Sequence, residues 1–395
     1  MGKKNAKNKS QQIDMSTAVS PQEKSFLLQG GIKDISFLLD LKNEIKSEFK
    51  VYVADLKYDL LVYKDLFDDL DSKHKGEPEE VKNSIQETII RTEGPGFRRF
   101  FEDKLDQLKT IVENLTWKEH QCHTSYFRNQ LWDLIDCCPF TSRATLKPRG
   151  YAGDFGLMQM IYLNNYQGDS TYAKLTHKHA VEHAATKSVR NRIKLVAQLL
   201  DDHNNDHHLF SGGKTKVLSV GCGPAFELQN ILKSPQDCLN YHFTLFDQDN
   251  EALSEAVKVV KKIGTRFNSV PEVDYVQGSV RTMLFSRKFE QKWGQFNFIY
   301  SLGLFDYLST RIAKAVLDRL FRLLKPGGKL VVGNFHVSNP SRYYMAYWGS
   351  WHLILRTEED LNSLFQHTLS GKCSVLYDDT GIQMFLCIKK CGEGA

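Results

Sequence analysis

From residue 216 onward, short apolar runs alternate with helix-like stretches, and the first run feeds directly into a glycine turn. The runs lie at 217–220, 241–246, 273–276, 296–301 and 329–335. This alternation predicts parallel strands joined by right-handed crossovers, a doubly wound α/β sheet. The end of the chain breaks the pattern. Residues 373–377 and 383–389 flank Asp378-Asp379-Thr380-Gly381, a hairpin signal. The sheet is therefore expected to finish in an antiparallel pair.

Ahead of residue 216 little looks like a strand. Apolar residues recur at helical spacing over 32–70, 79–116, 119–137 and 171–202. Glu93-Gly94-Pro95-Gly96 is expected to interrupt the second stretch, and glycine and proline cluster around 139–156. Residues 203–215 read as a polar, solvated linker. The expected division is a disordered basic tail at 1–18, a mostly helical domain at 19–185, and the sheet domain at 186–395.

Bulk properties exclude several function classes. The net charge of +5 comes largely from Lys3, Lys4, Lys7 and Lys9, so the body is nearly neutral and no nucleic-acid partner is expected. There is no membrane-length apolar run and no signal-peptide core, which makes the cytoplasm the expected compartment. Ala6 stands where a myristoylation signal wants a hydroxyl residue. None of the eight cysteines forms a CxxC pair, so zinc-ribbon and redox chemistry are not indicated.

The glycine turn is Val220-Gly221-Cys222-Gly223-Pro224-Ala225. Glycines there let the backbone approach a ligand and turn sharply. A dinucleotide fingerprint needs a third glycine where Phe226 stands, which disfavours NAD and FAD. An acid at the end of the next strand would grip ribose hydroxyls. Asp247 sits there, next to Gln248, with Asp249 as the fallback. The third and fourth strands end in Gly278-Ser279-Val280 and Ser301-Leu302-Gly303, which would flank the rest of a nucleoside-like ligand. Leu324-Lys325-Pro326-Gly327-Gly328 reads as a helix stop and tight turn.

Residues 217–225, Asp247, 323–330 and the closing hairpin together resemble the class I methyltransferase domain over about 180 residues. That resemblance implies a Rossmann-like fold with S-adenosyl-L-methionine as cofactor. The site residues it implies are Gly221, Cys222, Gly223, Ala225, Asp247, Gln248, Gly278, Ser279, Val280, Ser301, Leu302 and Gly303. One position departs from the class. Ser219, two before Gly221, is often acidic there, so the methionine ammonium needs another partner, for which Asp154 is the candidate.

A narrower resemblance covers residue 126 to the end. Lys147-Pro148-Arg149-Gly150-Tyr151-Ala152-Gly153-Asp154, Arg190-Asn191-Arg192, the 303–308 segment and the 351–356 segment are similar to a bacterial family linked to 3-hydroxy fatty acid methyl ester signals. It implies a cofactor role for Arg192. Tyr151, Gly153 and Asp154 read as a lid on the cofactor pocket, since two glycines around an aromatic residue are entropically costly without a close approach. The aromatic-rich 334–356 segment suits an apolar substrate, with Arg342, Tyr343, Tyr347, Trp348 and Arg356 as substrate residues. Tyr151, His336 and His352 are the candidates if a base is needed.

Two short motifs are misleading. His179-Ala180-Val181-Glu182-His183 matches an inverted zincin pattern, but the supported fold competes with it, and no metal is expected. Gly213-Lys214-Thr215 lacks the first glycine and the strand position of a phosphate-binding loop. The expected activity is methyl transfer from S-adenosylmethionine to a small or lipid-like acceptor, at a carboxylate or hydroxyl oxygen. The alternative is a catalytically silent S-adenosylmethionine-binding scaffold whose helical domain binds a partner. A homodimer is compatible with either.

Overall fold

The computed structural model describes residues 45–207, 213–286, 293–365 and 371–391. The basic tail, and the expected helix before residue 45, lie outside the described residues.

The helical region contains α1 (Ser47–Lys73), α2 (Glu79–Val112), α3 (Trp117–Ile135), α4 (Pro139–Leu146), α5 (Phe155–Leu163), α6 (Thr171–Glu182) and α7 (Ala184–His207). Amphipathic spacing explains the first two, with Phe49, Val53, Leu56 and Leu60 of α1 facing Phe97, Phe101, Leu105 and Leu108 of α2 in one core. A capping box between Thr116 and Glu119 starts α3.

Several sequence expectations are corrected here. Helix α2 runs unbroken through Gly94, Pro95 and Gly96. The 139–156 cluster contains α4, with Pro139 at its first turn, and opens α5 with Asp154 as N-cap. The 171–202 stretch is two helices, broken at His183 and extending to His207. His203 is buried, not solvated.

The sheet follows the predicted topology. Its strands are β1 (Thr215–Val220), β2 (Tyr241–Asp247), β3 (Glu272–Gln277), β4 (Phe296–Ser301), β5 (Leu324–Phe335), β6 (Gly371–Tyr377) and β7 (Gln383–Lys390), in the order β3-β2-β1-β4-β5-β7-β6. The first five are parallel, and β7 pairs antiparallel with both β5 and β6. Strand β5 starts earlier than expected. Its pairing with β4 shifts register after Phe296, so the 324–328 segment is irregular strand instead of a free turn.

The order changes direction between β1 and β4, which opens a crevice at their carboxyl ends. Two apolar cores cover the sheet faces, while a third fills the helical region. Helix α7 joins them: Val189 belongs to the helical core, and Val196 and Leu200 to the sheet core.

Candidate active site

The crevice holds a cavity of about 340 Å³, within the usual range for a small-molecule site of roughly 300–1,000 Å³. Its floor is the glycine turn. Gly221 and Gly223 have φ of 65° and 53°, which side chains rarely adopt. The turn is tied to β2, because the Gly221 and Cys222 amides both donate to the Phe246 carbonyl, at 2.8 and 3.1 Å. Gly223 N donates to Asp247 Oδ2 at 2.8 Å, and Asp249 N donates to Asp247 Oδ1 at 2.9 Å. Burial nonetheless pushes the Asp247 carboxyl up.

Asp249, not Asp247, caps the helix Asn250–Phe267. Its carboxylate is taken by Arg149, at 2.6 and 2.9 Å, and by the Tyr151 hydroxyl at 2.9 Å. Burial opposes its ionisation, but these partners outweigh it and hold its pKa below the usual range. The fallback ribose residue is thus engaged elsewhere.

The expected cofactor residues mostly converge. Tyr151, Gly153, Arg192, Gly221, Cys222, Gly223, Asp247, Gln248, Gly278, Ser279, Val280, Leu302 and Gly303 all line the cavity. The 150–154 segment therefore meets the glycine turn across about 70 residues of sequence. A Cβ on Gly153 would lie 2.4 Å from Tyr307 Oη and 3.0 Å from Trp351 Cζ2, so only glycine fits there.

Three expected cofactor residues do not line the cavity. Ala225 is buried in the sheet core behind the turn. Ser301 is buried and donates to the Val220 carbonyl at 2.9 Å. Asp154 caps α5, its Oδ1 accepting from Arg143 Nε at 2.7 Å, while its buried Oδ2 has no partner among the described residues.

A second acid, Glu227, lies beside Ser219. It lines the cavity, and its Oε1 accepts from the Tyr300 hydroxyl at 2.8 Å and the Ser219 hydroxyl at 3.5 Å. Ser219 leaves room, and Glu227 reaches back over it from the start of the next helix. Burial raises its pKa. The sequence signal was an acid in an otherwise apolar setting just after the turn.

Asp306 also lines the cavity and was missed. It lies in the 303–308 segment that carried the narrower resemblance. Its Oδ1 accepts from Phe335 N at 2.7 Å. Burial pushes its carboxyl up to about 6, against the opposing effects of the Phe335 amide, Arg192 and Arg356. Glu227, Asp247 and Asp306 thus face a cavity whose one lining guanidinium is Arg192. Arg192 donates to the Leu302 carbonyl at 3.2 Å.

Of the expected base and substrate residues, Tyr151 lines the cavity and the others lie outside it. The Tyr151 hydroxyl donates to Asp249, and burial followed by that bond pushes its pKa up, so it is a poor base. His336 bonds to Ser338 at 2.6 Å and lines no part of the cavity. Tyr347 and Trp348 sit in the helical core against Phe127, on a helix (Arg342–Gly349) that packs on the N-terminal helices. Arg356 is buried as a strut to Asn334 and to the carbonyls of Phe305, at 2.8 Å, and Leu308. Arg342, Tyr343 and His352 line a second cleft, which shares Trp351 and Leu353 with the cavity.

His179, from the zincin-like motif, lies among Phe97, Phe101 and Tyr344, and Glu182 pairs with Arg98 and Lys178. Among the described residues no group of three or more His, Cys, Asp or Glu side chains is placed to hold a metal. Among them, too, no helix is long and apolar enough to cross a membrane.

Residues 217–328 match the family model described as a methyltransferase domain. No curated protein matches the chain. Among solved structures, a Bordetella parapertussis protein described as a "possible exported protein" is 15% identical, with 76% of this chain and 97% of that chain covered and a TM-score of 0.47. The magnesium protoporphyrin IX methyltransferase of Synechocystis, solved with bound SAH, is 11% identical over 52% of this chain and 86% of its own, with a TM-score of 0.38. A SAM-dependent methyltransferase from Methanosarcina mazei is 17% identical over 47% and 97%, with a TM-score of 0.34. These similarities are remote, whereas the family match spans the glycine turn and the first four strands.

Proposed function

We propose that this methyltransferase moves the methyl group of S-adenosylmethionine onto an oxygen of a small or lipid-like acceptor. The observation that carries the reading is the charge of the cavity, with three buried acids against one guanidinium at the mouth of a Rossmann-like sheet. Such a lining suits a donor with an ammonium and a sulfonium. Bound there, S-adenosylmethionine supplies an electrophilic methyl, and alignment and exclusion of water remain as the protein's work.

In this reading Glu227 holds the ammonium, and Asp247 accepts from the ribose hydroxyls while its own bonds fix its carboxylate. The Gly221–Gly223 backbone makes room for the donor. Tyr151 and Gly153 close the cavity over it. A carboxylate acceptor needs no base, but a hydroxyl does. Asp306, a cavity-lining carboxyl that burial pushes up to about 6, is the candidate to take that proton, which favours a hydroxyl. The silent-scaffold alternative is less favoured, because such a scaffold has no use for a second acid, Asp306, lining the cavity away from the ribose position.

Titration calorimetry with S-adenosylmethionine tests the donor site. Asp247→Ala should weaken binding by about 1–3 kcal/mol, the cost of lost charge-assisted hydrogen bonds. Unchanged affinity would remove Asp247 from the ribose role. A labelled-methyl assay over hydroxyl and carboxylate acceptors tests turnover, and donor binding with no acceptor methylated would restore the scaffold.

A further inference from the structure

Tyr162 lines the donor cavity and also an open groove of about 540 Å³. The groove forms where several parts of the chain meet. Arg98 comes from α2, Glu182 from the end of α6, and Asn230 from the short helix Leu228–Ile231 that follows the glycine turn, while one face of α7 runs along it.

We propose that this groove is a binding site, separate from the donor cavity, for a small anion that carries two phosphoryl groups. The proposal does not rest on the methyl-transfer reading.

The charge of the lining is the first support. Lys187, Arg190 and Lys194 stand at i, i+3 and i+7 along α7, which puts them on one face of the helix. Arg98 adds a fourth cation. Against these stands one lining carboxylate, Glu182, and it is already taken by Arg98 and, at 3.0 Å, by Lys178. Lys187, Arg190 and Lys194 form no ion pair among the described residues. A concave site lined by one sign of charge concentrates the opposite one.

Exposed lysines on a helix face are ordinarily just solvated, and Lys187 and Lys194 are exposed. Arg190 sets this face apart. Its side chain is half-buried, and its Nη1 donates to the carbonyls of Ile161, at 3.2 Å, and Val181, near the ends of α5 and α6. Both bonds use Nη1 and spend none of the donors on Nε or Nη2. The guanidinium is thereby fixed in the groove wall with part of its fork uncommitted, which suits bidentate contact with phosphoryl oxygens. Burial works against its charge and Glu182 supports it, and an anion in the groove would add to that support.

Size and charge decide the ligand class. Seven residues separate Lys187 from Lys194, roughly 10 Å along the helix axis. One phosphate group is too short to meet both lysines and Arg190. Two linked phosphoryl groups reach farther and bring enough negative charge for three unpaired cations.

The test is titration calorimetry of the full chain with inorganic pyrophosphate and with inorganic phosphate, at about 0.15 M salt so that diffuse attraction is screened. Pyrophosphate should bind saturably, one per chain, and at least tenfold tighter than phosphate. Replacing both exposed lysines, Lys187→Gln with Lys194→Gln, should weaken it at least tenfold while the urea midpoint stays that of the parent. Arg190→Lys keeps the charge but loses the fork, and should weaken it at least threefold. Arg190 also ties two helix ends together, so the double lysine variant decides the matter if Arg190→Lys does not fold. Lys314→Gln, on the helix Thr310–Arg322 against the opposite face of the sheet, should bind within twofold of the parent. Saturating S-adenosylmethionine should not displace pyrophosphate. No saturable binding, equal affinity for the two anions, a loss in Lys314→Gln as large as in the double variant, or displacement by S-adenosylmethionine overturns the site. Failure of the parent chain to bind S-adenosylmethionine overturns the donor reading instead and leaves the groove standing.

Discussion

Glu227→Gln separates the two candidates for the donor's ammonium. The substitution keeps the side chain's shape, and its amide oxygen can still accept from Tyr300, now 2.8 Å from the carboxylate. What it removes is one negative charge in a buried, water-poor site. A charge-assisted hydrogen bond there contributes about 1.5–3 kcal/mol, or roughly a 10- to 150-fold change in affinity. Calorimetry with S-adenosylmethionine should therefore show a loss of at least tenfold. The same variant titrated with 5′-methylthioadenosine, which lacks the ammonium, should lose less than twofold. Asp154→Asn should leave both affinities unchanged, because Asp154 does not line the cavity and its Oδ1 accepts from Arg143 and the Leu157 amide. Burial raises the Glu227 pKa in the free protein, and a bound ammonium would lower it again. Donor binding should accordingly release protons and tighten as pH rises through the raised pKa. Equal losses for the two ligands would make Glu227 merely structural, and no loss for either would place the ammonium elsewhere.

Three other outcomes follow from the same geometry. With the Asp306 carboxyl pushed up to about 6, turnover of a hydroxyl acceptor should rise with pH up to about 6 and level off above it. Asp306→Asn should erase that limb and cut kcat by about 100-fold, and a pH–rate profile that keeps its limb counts against the base. Gly153→Ala puts a Cβ 2.4 Å from Tyr307 Oη at a φ of 69°. Left-handed strain plus a disturbed Tyr307–Trp351 bond should cost about 2–3 kcal/mol, and an unchanged urea midpoint would contradict the close approach. His177 is fully buried, with no partner for either ring nitrogen among the described residues, and burial pushes it down to about 4. An unfolded histidine titrates near 6.5, so stability should fall as pH drops from about 6.5 toward 4. His177→Phe should flatten that slope in urea titrations, and a slope as steep as the parent's argues against it.

What the sequence disclosed was local. Strand positions, the glycine turn and the Asp378–Gly381 hairpin depend on short stretches whose residues carry their own conformational preference. Gly381, at a φ of 71°, is one. The misses came from tertiary packing overriding local preference. Pro95 costs a helix interior about 3 kcal/mol, yet α2 runs through it, since Ile90, Phe97, Phe101, Leu105 and Leu108 bury one continuous face. Glu227 escaped notice for a related reason. Its role depends on Ser219 and Tyr300, eight residues before it and 73 after, which only the fold brings together.

The aromatic 334–356 segment shows why the helical region belongs to the active site. Its helix places Tyr343, Tyr344, Tyr347 and Trp348 in the core formed by α1 to α6, while Phe335 at its start ends a central strand. Trp351, just past that helix, reaches the cavity, the cleft and the Gly153 loop. Helix α7 runs through both cores. A boundary at residue 186, proposed from the change of pattern, would therefore cut across a helix shared by both cores. The cavity is likewise built by both parts of the chain: the sheet supplies the glycine turn and Asp247, and Trp351, far from that turn in sequence, closes the opposite wall with its indole N–H on the Tyr307 hydroxyl.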